Sequence, residues 1–150
     1  MAFAFKYKYT KTLDRAFSEQ DVQMALIWIG KFVKQKGANS TIVENNKLNY
    51  RGYLINRTPV NNGSFKIEVV DIETKITYEI MISLAAIIIA VASIVLGIVA
   101  QNIFIPLYCS VLVAASFLVT MAKYGDLFDD VAEGIDKLHS LEDVSAESYS

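Results

Sequence analysis

Residues able to carry acid–base, nucleophilic or metal chemistry are few in this chain and poorly spaced. His139 is the only histidine and Cys109 the only cysteine. A zinc site or a histidine general base needs convergent partners, and the sequence offers His139 no second His or Cys ligand. His139 therefore reads as an ordinary helix residue. Asp129, Asp130 and Glu133 form a carboxylate cluster, but without the spaced oxygen ligands and turn glycine of a calcium loop. They read as a solvated helix face. No glycine-rich phosphate loop, G-x-S-x-G, C-x-x-C or H-E-x-x-H occurs.

Lys6, Lys8 and Lys11 lie among Phe5, Tyr7 and Tyr9, an interleaving that raises nucleic-acid binding. In a strand, however, Lys6 and Lys8 project away from the aromatic residues, so the two groups share no surface. The net charge of the first 79 residues, 12 basic against 8 acidic or +4, is also modest for phosphate binding. These residues lead to the expectation of a non-enzymatic protein with no cofactor, no metal and no nucleic-acid partner.

The elements that position these residues differ sharply along the chain. Ile80–Ala100 holds no charge in 21 residues and Ile103–Ala122 none in 20. Each is about 30 Å long as a helix, near the hydrocarbon thickness of a bilayer. The 12 Ile, Leu and Val of the first run favour insertion by about 4–7 kcal/mol. The uncharged pair Gln101-Asn102 between the runs suits the tip of a hairpin. Basic residues set the orientation: 12 of 14 precede residue 80 and none lies between the runs. The positive-inside rule then puts both termini in the cytoplasm and the 101–102 loop on the opposite side. Tyr78, Glu79, Lys123 and Tyr124 bracket the hairpin as membrane-interface residues, with Glu79 and Lys123 able to pair across its base or to extend into water.

Residues 1–79 read as a cytoplasmic α+β domain of strand, helix, then strands. Phe3, Phe5, Tyr7 and Tyr9 alternate with polar or small residues, the period of a half-covered strand. Ser18–Lys36 carries the helix signals: a capping box from Ser18 and Asp21, a Phe17–Val22 staple, and Gly37 after the last turn. Asn45-Asn46 suits a tight hairpin turn, because asparagine tolerates positive φ. The run PVNNGS, Pro59 to Ser64, reads as a loop, and alternating strands follow at Phe65–Val69 and Ile76–Ile80.

In the tail, residues 123–150, Gly125 is placed to end the membrane helix and Asp126 to cap a short amphipathic acidic one. Leu127, Phe128, Val131, Ala132, Ile135 and Leu138 share its apolar face. With 2 basic and 8 acidic residues, the tail is poorly suited to an anionic leaflet. It is expected to dock on its own basic domain or on a partner, with Trp28, Phe128, Val131 and Ile135 as contact residues.

The expected fold is thus an α+β cytoplasmic domain (1–79), a two-helix transmembrane hairpin (80–122, with spans 80–100 and 103–122) and a short acidic helix. Small residues recur in the first span at Ser83, Ala86, Ala90, Ser93, Gly97 and Ala100, and in the second at Ser110 and Ala114. Such stripes let membrane helices approach closely, within the hairpin or between subunits. Neither run contains an ionisable carboxylate, lysine, arginine or histidine, which disfavours a proton relay or coupled transport. Two functional expectations follow. The first is an integral membrane adaptor, scaffold or accessory subunit, with lipid and other subunits or a second copy as partners. The second is a small oligomeric pore-former or holin-like effector, for which Cys109, Ser116 and Thr120 supply a faintly polar stripe.

Overall fold

The computed structural model describes residues 5–55, 58–82, 84–99 and 104–147. Strand β1 (Phe5–Leu13) leads into helix α1 (Glu19–Lys36), followed by β2 (Ser40–Glu44), β3 (Lys47–Arg51), β4 (Val60–Val70) and β5 (Glu73–Ile82). Helices α2 (Leu84–Val99) and α3 (Phe104–Glu147) complete the chain. The five strands form one antiparallel sheet in the order β1-β5-β4-β3-β2.

Local signals account for the first elements. Ser18 caps α1: its Oγ accepts from the Asp21 N–H at 3.2 Å, and the Asp21 carboxylate accepts from the Ser18 N–H at 2.7 Å. Gly37 ends the helix at φ 121°, with its N–H returned to the Lys34 carbonyl. Asn45 turns β2 into β3 at φ 52°.

Register decides which side of the sheet is covered. Leu48 faces Phe65, Phe65 faces Tyr78, and Tyr78 faces Tyr9 across successive strands. These residues line one face together with Ile67, Ile76 and Ile80, and all but the half-buried Tyr9 are fully buried. α1 covers part of this face with Val22, Leu26, Ile29 and Val33, and the second half of α3 covers the rest with Leu127, Phe128, Val131 and Ile135. The opposite face carries Lys8, Lys66, Lys75 and Glu79 and is open, as antiparallel sheets allow.

Three expectations are corrected. The two-helix transmembrane hairpin with a separate short tail helix does not hold. Among the described residues one helix, over Pro106–Leu138, is long and apolar enough to cross a membrane. The apolar residues that open the first run belong to the sheet: Ile80 pairs with Tyr7 and Ile82 with Phe5. That leaves α2 with 16 residues, about 24 Å, short of a hydrocarbon core of about 30 Å.

The tail is likewise no separate helix, because α3 continues without a break across Lys123 and Gly125 for 44 residues. Glycine inside a helix costs about 1 kcal/mol against alanine, and docking of the helix on the sheet outweighs it. Third, Pro59–Ser64 is not a loop. Residues from Val60 onward form β4, with a register irregularity between Val60 and Asn62 absorbing the extra residue. Gly63 has a packing role there: a Cβ would lie 2.6 Å from the Tyr50 hydroxyl and 2.8 Å from the Glu79 carbonyl oxygen.

Candidate functional site: a groove between the helical pair and the sheet

β5 feeds directly into α2, and α3 returns past the same end of the sheet. The helices meet closely where Gly97 of α2 abuts Pro106 of α3. A Cβ at Gly97 would lie 2.5 Å from the proline Cδ and 2.8 Å from its nitrogen. Toward the sheet they diverge around a groove of about 670 Å³. Its walls are Ile89 and Ile94 from α2 and Leu112, Val113 and Phe117 from α3, while Ile82, Pro59 and Thr58 close the end at the sheet. Ser116, Thr120 and Lys123 line it from α3.

The polar groups at the sheet end are fixed by hydrogen bonds. Thr58 Oγ1 donates to the Ile55 carbonyl at 2.8 Å and lies 3.1 Å from the Tyr124 hydroxyl. Tyr124 in turn donates to the Val60 carbonyl at 3.3 Å. Thr120 Oγ1 donates back to the Ser116 carbonyl at 2.8 Å, and the Tyr9 hydroxyl donates to the Met121 carbonyl at 2.6 Å. The Tyr9 and Tyr124 hydroxyls thereby clamp the middle of α3 to β1, to Thr58 and to the start of β4. Lys123 is exposed at the rim and forms no ion pair among the described residues. Glu79 is bound instead to Lys8 at 2.8 Å. The hydrogen bond from Lys8, then its charge, holds the Glu79 carboxyl below its usual range despite some burial.

Behind the groove lies an aromatic core. Phe65 and Tyr78 stack with centroids 4.1 Å apart, and Tyr78 also packs on Tyr9, Tyr124 and Phe128. The Tyr50 and Tyr78 hydroxyls share a hydrogen bond of 2.6 Å. Burial pushes both well above the ordinary tyrosine value, and pushes Tyr9 up to about 12. All three hydroxyls are therefore held in the protonated form.

The structure distributes the sequence-selected residues as follows. Tyr78 and Tyr124 are both fully buried in the aromatic core, because strand register and helix docking turn them inward. Lys123 stands at the groove, apart from the Lys8–Glu79 pair. Phe128, Val131 and Ile135 are buried against the chain's own sheet and α1. Trp28 stacks on Phe32 at 5.5 Å and packs against Gly134 of α3. Ion pairs support this docking, Lys11 with Asp129 at 3.7 Å and Arg15 with Asp136.

Of the small-residue stripe, Gly97 is buried at the contact with Pro106 and Ser93 is half-buried, its hydroxyl donating to the Ile89 carbonyl. Ser110 and Ala114 are exposed. Ser83, Ala100 and Gln101-Asn102 lie outside the described residues, as do the side chains of Ala86, Ala90 and His139. Among the described residues, no three His, Cys, Asp or Glu converge closely enough for a metal ion. The groove residues Thr58, Pro59, Ile89, Leu112 and Val113 were not singled out by sequence reasoning. Of the groove residues on α3, the sequence singled out Ser116 and Thr120, as part of a faintly polar stripe with Cys109, and Lys123 as an interface residue. No protein-family model, curated protein or solved structure matches the chain.

Proposed function

We propose that the protein is a non-enzymatic membrane adaptor or accessory subunit, in which the apolar half of α3 enters a bilayer and holds the α+β domain at its cytoplasmic face. The observation that carries this reading is the exposed apolar surface of α2 and the first half of α3. Ile88, Leu96, Ile98, Phe104, Leu107, Val111 and Leu118 are all more than half exposed. Only 11% of the most apolar stretch of α3 is buried, whereas the core helix of a water-soluble domain would be mostly covered. Exposed apolar residues in this number mark a membrane or partner contact.

Continuity of α3 supports the adaptor role. The same helix that offers apolar residues to lipid packs Phe128, Val131 and Ile135 into the domain core. The domain is therefore carried as a rigid extension of its anchor rather than on a linker. Its basic surface, net +4 over residues 1–79, suits the cytoplasmic leaflet. Met24 and Ile27 on α1, and Val70 and Ile72 around the β4–β5 turn, are exposed and remain available to a partner.

Alkaline extraction of membranes tests the reading. The native chain should stay in the pellet, and Leu107→Asp combined with Leu118→Asp should release it while the domain stays folded by circular dichroism. Release of the native chain would overturn membrane attachment. Collapse of membrane potential on controlled expression, read with a potential-sensitive dye, would replace the adaptor by a pore-former.

A further inference from the structure

The groove on the α2–α3 pair has the chemistry of a lipid site. Building on the reading that α3 enters a bilayer, we propose that it holds one anionic phospholipid, with an acyl chain between the helices and the phosphate on Lys123.

Three observations converge. The walls are apolar along their length, from Ile89, Ile94, Leu112, Val113 and Phe117, and among the described residues Lys123 is the only charged one that lines the groove. The volume, about 670 Å³, falls among small-molecule sites of about 300–1,000 Å³. The dimension along the helix also fits: from Leu112 to Lys123 is about 16 Å of rise, close to the half-thickness of a hydrocarbon core of about 30 Å. A chain of one leaflet thus reaches from the head group beside Lys123 to the bilayer midplane.

Charge selects the head group. Lys123 has no ion pair among the described residues, and Glu79, which the sequence offered as one partner for it, is held by Lys8. Lys123 therefore presents positive charge at the mouth where a phosphodiester would sit, with no carboxylate paired to it among the described residues. An ammonium beside an anionic head group favours it by about fivefold over a zwitterionic one. The neighbouring hydroxyls of Thr58 and Thr120 donate to backbone carbonyls, so Lys123 supplies the selectivity.

The test uses the full chain, purified in a mild non-ionic detergent, stripped of lipid, and titrated with dioleoyl phosphatidylglycerol or dioleoyl phosphatidylcholine under native mass spectrometry. One bound phosphatidylglycerol per chain is expected, with about a fivefold preference over phosphatidylcholine. Lys123→Gln should bring the two lipids to parity without abolishing binding. Ser116→Trp, which fills the groove, should abolish both. Ile89→Trp fills it from the other helix should the first variant misfold. All variants should stay in alkali-washed membranes.

Equal affinity of the native chain for the two lipids, absence of a bound lipid, or a lipid-free dimer would overturn the site while leaving membrane attachment standing. Loss of the native chain from washed membranes would overturn the attachment reading instead.

Discussion

Gly134→Ala probes whether the second half of α3 is docked on α1 as the structure shows. Within a helix, replacing glycine by alanine contributes about 1 kcal/mol of stability. At Gly134 that gain meets an obstacle. An added Cβ would stand 2.3 Å from Trp28 Cη2 and 2.7 Å from Cζ2, where carbon atoms in contact prefer about 3.5–4.0 Å.

The indole must therefore shift by more than about 1 Å to restore that spacing. Its stack on Phe32, at 5.5 Å and 20°, resists the movement. Overpacking of this kind costs about 1–3 kcal/mol, so the net effect runs from about zero to 2 kcal/mol destabilising. At about 2–4 °C per kcal/mol for a chain of this size, Tm should fall by up to about 8 °C.

Gly125→Ala is the matched control on the same helix. Its Cβ would meet Tyr9 Cε1 at 3.4 Å, an acceptable contact, and Tm should rise by about 2–4 °C. The assay is thermal melting by circular dichroism in detergent, read beside the emission of Trp28, the only tryptophan. In Gly134→Ala the emission should shift to the red as the indole is displaced. In a Trp28→Leu background the same substitution should become stabilising, which gives a coupling of at least about 1 kcal/mol. Equal stabilisation by both glycine substitutions, with zero coupling to Trp28, would refute the docking.

Two further outcomes follow from the sheet and its aromatic core. Gly63→Ala should cost about 1–3 kcal/mol, because its Cβ would meet both the Tyr50 hydroxyl and the rigid Glu79 carbonyl; an unchanged melting temperature would contradict the β4 register. Tyr9, Tyr50 and Tyr78 have folded-state values raised by burial, so the stability they contribute is complete below their unfolded value of about 10 and declines as pH rises through it. Tyrosinate absorbance should show Tyr9, Tyr50 and Tyr78 ionising only as the fold is lost, whereas their ionisation at about pH 10 in a folded chain would contradict that burial.

Sequence alone determined the parts of this protein whose interactions close within a few residues. Ser18 and Asp21 lie three apart and bond reciprocally, Gly37 ends the same helix, and Asn45 turns a hairpin that its neighbours can only follow. The alternation in β1 and β5 was legible for the same reason, since a strand buries every second residue. The concentration of apolar residues after Ile80 was equally plain.

Tertiary structure decided the rest. Ile80 and Ile82 are as apolar as any membrane residue, and only pairing with Tyr7 and Phe5 assigns them to the sheet. Gly125 reads locally as a stop, yet α3 passes through it because Phe128, Val131 and Ile135 gain a core beyond it. Asn61, Asn62 and Gly63 have the composition of a loop, and a strand forms because Tyr50 packs where a side chain at Gly63 would otherwise stand. The groove joins Thr58, Ile89 and Val113 from three separate segments. No sequence period connects those residues. They become a site only where two diverging helices meet the end of a sheet.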